Sequence, residues 1–61
     1  MIAAMKLTLS HSHLEQAKAM RDRAATRTLS RDAADIIWFQ IHALEAAAES
    51  LVASAAEDMV A

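Results

Sequence analysis

The chain contains no cysteine, glycine, proline or tyrosine, and only one tryptophan and one phenylalanine among its 61 residues. Each absence narrows the fold. Without cysteine there is no disulfide to constrain a small domain. Without glycine or proline, the tight turns that join strands in a sheet have no residue that favours them. What remains is rich in helix formers: Ala, Leu, Met, Glu, Gln, Arg and Lys. The expected fold class is all-α.

The apolar fraction of 56% is less generous than it looks, because 16 of those residues are alanine and only 18 are larger. Alanine permits close helix approach but removes little area from water. A chain this short with so thin a core seldom stabilises itself alone, so self-association into at least a homodimer is expected. No run is apolar over the roughly 20 residues that a bilayer requires. The richest window, residues 36–56, carries His42, Glu45 and Glu49. Neither a membrane partner nor a cleaved leader is expected, and cytoplasmic residence is the default.

Charge of one sign is missing from half of the chain. All six basic residues lie within the first 31 positions, where only Glu15 and Asp22 oppose them, and the other 30 positions hold six acids and no base. Such a division fits either a nucleic-acid face or two helices that attract each other.

The clearest pattern is in the second half. Ile37, Ile41, Leu44, Ala48, Leu51 and Ala55 recur at alternating steps of four and three, with Ala34 preceding them. That is a heptad seam, and it predicts one helix over residues 31–60. Ser30, followed by Asp32 and Asp35, reads as its N-cap with acids in the first turn, where the helix dipole favours them.

The first half admits two readings. In one, Ala3, Ser10, Ala17 and Ala24 form one seam position, and Leu7, Leu14, Arg21 and Thr28 form the other, giving a helix over about residues 2–27. In the other, Lys6 to Ser10 alternates like a short strand, and Ser12 with Glu15 makes a capping box that starts a helix at 12. The helical reading is preferred. Continued past Thr28, its frame would put Arg31, Asp35, Trp38, His42 and Glu45 on the seam, so a turn at 28–30 is predicted instead.

Folding back there gives an antiparallel hairpin in which opposed residue numbers sum to about 58. Leu14 then meets Leu44, Leu7 meets Leu51, Ala17 meets Ile41 and Ala24 meets Ala34. Two such hairpins would form a four-helix bundle, with the single domain spanning residues 1–61. In plan this resembles the plasmid regulator Rop, a helical hairpin that dimerises with small and large core layers. The resemblance rests on length and layering alone. Rop-type proteins grip RNA through a first-helix face that includes a phenylalanine, and the first half here has no aromatic residue, so no RNA site carries over.

Away from the seam, helix two bears a second apolar stripe through Ile36, Phe39, Ala43, Ala46 and Ala47, with Trp38 on a third side. Aromatic side chains on an unpartnered face are candidate anchors for another protein. They could equally fill a dimer core. Ile36, Trp38 and Phe39 are therefore the partner-binding candidates. His42, Glu45 and Glu49 share a face, and His11 and His13 lie close together, but neither set has ligands from a second helix, so no metal or other cofactor is expected. Ser, His and Asp lie on regular helices with no loop to shape an oxyanion hole, and no enzymatic activity is expected.

Lys18 and Arg21 fall on one flank of the first seam, and Arg23 and Arg27 on the other. This suits pairing with an acidic helix better than a continuous phosphate-binding stripe. The expected function is a non-enzymatic, dimeric regulatory module that binds and modulates another protein. The first alternative is a ribbon-helix-helix DNA-binding dimer, with Lys6, Thr8 and Ser10 presented from a paired strand, and an RNA-binding hairpin of the Rop kind comes third. Against the first alternative stand the long second helix and a turn without Gly or Asn.

Overall fold

The computed structural model describes residues 2–60. The chain forms two helices, α1 (Ala3–Thr26) and α2 (Arg31–Val60), which fold back on each other as a hairpin. The rod measures 47 × 15 × 13 Å.

The ends of the helices follow from local chemistry. α1 starts without a side-chain cap, Ile2 being extended and its carbonyl accepting from the Lys6 amide at 3.1 Å. Ser12 and Glu15 lie inside α1, so the alternative start at residue 12 is not used. The chain leaves α1 without any left-handed residue: Arg27 is extended at φ −124° and ψ 146°, and Thr26 Oγ1 donates to the Arg23 carbonyl at 3.1 Å. After the short link 27–30, Ser30 caps α2. Its Oγ accepts from the Ala33 amide at 3.2 Å and its carbonyl from Ala34 at 2.9 Å, which satisfies donors that the first turn otherwise leaves open. Asp32 adds a negative charge at the positive end of the helix dipole.

The core is a narrow file of small side chains. Ser10 and Ala17 of α1, and Ile41, Ala48 and Ala55 of α2, are buried, and Ile41 is the large side chain with no exposure at all. Ser10 Oγ donates across the seam to the Ala48 carbonyl at 3.2 Å. These two numbers sum to 58, the register that the antiparallel heptads require. On α2 the seam runs as the sequence pattern has it, through Ala34, Ile37, Ile41, Leu44, Ala48, Leu51 and Ala55, all buried or half-buried.

On α1 one of the two seam positions is displaced by one residue. Ala3, Ser10, Ala17 and Ala24 hold one position, but Lys6, His13 and Met20 hold the other, and all three are half-buried. Leu7 and Leu14, expected in the hairpin core, are 40% and 46% exposed on its flank. Charge placement accounts for the displacement. A seam through Leu7 and Leu14 also brings in Arg21, whose guanidinium would lie between the helices at a steep desolvation cost. A smaller turn of α1 about its axis, with Ser10 and Ala17 kept in the seam, puts Met20 there instead. Lys6 enters only at the open end of the hairpin, where its ammonium pairs with Asp58 and donates to Ser54 Oγ at 2.7 Å.

Candidate functional site

The seam leaves two long flanks, each lined by both helices, and they differ in charge. One flank carries Arg21 of α1 beside Trp38, His42 and Glu45 of α2. Arg21 Nη2 donates to both carboxylate oxygens of Glu45, each at 2.8 Å. The same guanidinium carbon lies 5.2 Å from the centre of the Trp38 ring, within cation–π range. The His42 ring follows at 5.9 Å, tilted by 45°. Further along, Leu14 and Val52 line a groove that Glu49 interrupts.

The opposite flank is built from uncharged residues through its middle. His13 and Met20 of α1 line it together with Gln40, Ala43, Leu44 and Ala47 of α2, with Phe39 at the rim. Helical spacing adds Met5, Leu9 and Gln16 to the same side of α1. His13 Nδ1 is buried there with no hydrogen-bond partner. An orphaned buried acceptor or donor of this kind is uncommon in a folded protein.

The three residues proposed from the sequence as partner anchors are thus separated by their surroundings. Ile36 and Phe39 are 59% and 75% exposed, Phe39 at the rim of the uncharged flank, whereas Trp38, 41% exposed, is engaged within the hairpin by Arg21. Lys6, Thr8 and Ser10, the candidates for reading DNA from a strand, lie in helix α1. Lys6 is tied to Asp58, Thr8 Oγ1 donates to the Ala4 carbonyl at 2.9 Å, and Ser10 is buried in the seam. The paired-strand arrangement is absent from the described residues.

Among the described residues no group of three or more His, Cys, Asp or Glu side chains is placed to hold a metal ion. His11 and Glu15 approach only to 3.9 Å across one exposed helical turn. By length and composition α2 is apolar enough to cross a membrane, a test that core helices of soluble proteins also pass. Glu45 and Glu49 stand near its midpoint.

Sequence reasoning placed Arg21 among the flanking cations suited to an acidic helix, but marked neither its stacking on Trp38 nor the uncharged flank. The signal that could have found the flank is the file Met5, Leu9, His13, Gln16, Met20, which is free of charge over four turns of an otherwise charged helix. No family model, curated protein or solved structure matches the chain.

Proposed function

We propose that this chain is a non-enzymatic interaction module, a helical hairpin that associates with a second copy of itself and acts by binding and modulating another protein. The observation that carries the reading is the contrast between the hairpin's interior and its surface. Among the described residues five are buried, of which only Ile41 is large, while Phe39 stands 75% exposed and Ile36 59%. A large aromatic on an open face adds area that association with a partner can remove from water, and such side chains dominate interface energies. Support for a non-catalytic role comes from the polar groups. Among the described residues most of them lie on exposed faces of regular helices or pair across the hairpin, an arrangement suited to surface contacts more than to a nucleophile with its base.

The test is capture of protein partners by the full chain and by Phe39→Ser. Circular dichroism and light scattering verify that helicity and mass are unchanged. The reading expects the serine variant to lose at least one partner that the native chain retains. Identical capture by both chains would refute it.

A further inference from the structure

We infer that a second copy of this chain occupies the uncharged flank, seated antiparallel so that the turn of each hairpin lies beside the open end of the other. This rests on the self-association in the proposed function and assigns to it a face and an orientation.

The area exposed by one hairpin calls for such an occupant. A compact monomer of this 6.6 kDa mass exposes about 3,900 Å². The hairpin exposes 4580 Å². By the same scaling a compact dimer exposes about 6,400 Å², so pairing would hide roughly 2,700 Å² of the surface of two separate hairpins. That lies within the size range of permanent dimer interfaces, about 2,000–5,000 Å².

Charge selects the face. A helix pair docking on the other flank would have to cover the Arg21–Glu45 pair and Glu49, taking charges out of water. The flank of His13, Met20, Gln40, Ala43, Leu44 and Ala47 has no charge to desolvate, and its alanines allow close approach of another helix. A twofold axis crossing this flank near residue 14, midway along α1, lays the two grooves face to face.

Charge also selects the orientation. Arg23 and Arg27 lie towards this flank at the turn end, and neither forms an ion pair among the described residues. Glu57 and Asp58 stand at the open end, where Lys6 is the one basic side chain among the described residues. An antiparallel second copy brings these ends together. A parallel copy would gather the arginines of both turns, an arrangement opposed by like-charge repulsion.

Sedimentation and light scattering on the full chain test the face. Native protein is expected at twice the 6.6 kDa chain mass. Ala47→Glu and Ala43→Glu, which keep helix propensity, are expected to weaken the dimer by on the order of 100-fold or more, because each puts an unpaired charge into a dry interface. Ala53→Glu, beside Val52 on the opposite flank, is expected to leave it intact. Circular dichroism confirms that each variant remains helical. Orientation is read from a spin label at Thr28→Cys, a single label because the chain has no cysteine. Antiparallel seating sets the two labels roughly 40 Å apart from the 1.5 Å rise per residue, and parallel seating brings them within about 20 Å. Monomeric native protein at all concentrations would overturn the self-association itself. A dimer that withstands both groove glutamates, or yields only to Ala53→Glu, would overturn the face alone, and a short label distance would overturn the orientation.

Discussion

Ile41 is the residue on which the hairpin leans most. It is the one large side chain with no exposure, and its neighbours in the core are alanines and a serine. Ile41→Ala is expected to cost about 2–5 kcal/mol, since few surrounding atoms are long enough to collapse into the space. In so small a protein that loss should abolish the cooperative thermal transition seen by circular dichroism. Ser10 is the opposite case. Removing its hydroxyl deletes one hydrogen bond and also one buried polar group, so Ser10→Ala should change stability by no more than about 1 kcal/mol. Ser10→Leu, by contrast, should destabilise by about 1–3 kcal/mol, because that side chain is buried against the α2 backbone. Arg21 contributes more to local order than to stability, its pair with Glu45 being well exposed on both sides. Arg21→Ala should therefore leave the melting curve almost unchanged while shifting the emission of Trp38, the only tryptophan, to longer wavelength.

At the scale of the elements, the two helices are specified by different means. α2 carries its own start signal and its own seam. Ser30→Ala should cost about 0.5–2 kcal/mol and fray the first turn, with Ser30→Asp restoring it, as amide exchange at Ala33 and Ala34 would report. α1 has no side-chain cap and exposes Met5, Leu7, Leu9 and Leu14 around much of its circumference. Its pattern is correspondingly ambiguous. The small residues at Ala3, Ser10, Ala17 and Ala24 are legible in the sequence because only small side chains suit the closest approach of two helices. Whether their companions are Leu7 and Leu14 or Lys6 and His13 is not legible from hydrophobicity, which favours the leucines. The deciding terms, Arg21 reaching Glu45 and Lys6 reaching Asp58, join residues on different helices.

For the whole molecule, the governing quantity is surface. A rod of 47 × 15 × 13 Å with one file of buried residues exposes more area than a compact protein of its mass. Stability should accordingly depend on protein concentration. If the second copy supplies the missing burial, the melting temperature should rise as the chain is concentrated and fall on dilution, by mass action. A concentration-independent melt would show that the single hairpin stands by itself. Phe39 lies at the rim of the proposed dimer face and is 75% exposed, so Phe39→Ser is expected to affect capture of another protein more than chain association.

The sequence by itself determined the helical class, the turn between the halves, the Ser30 cap and the seam of α2. Each of these depends on residues near one another in the chain, where periodicity and propensity act directly. Tertiary structure alone decided the rotation of α1, the clamp of Arg21 on Trp38 and the division of the surface into a charged and an uncharged flank. A small turn of α1 about its own axis hardly alters the apolar periodicity of α1 taken alone. It changes which charges meet across the hairpin, and only the packed pair of helices registers that difference.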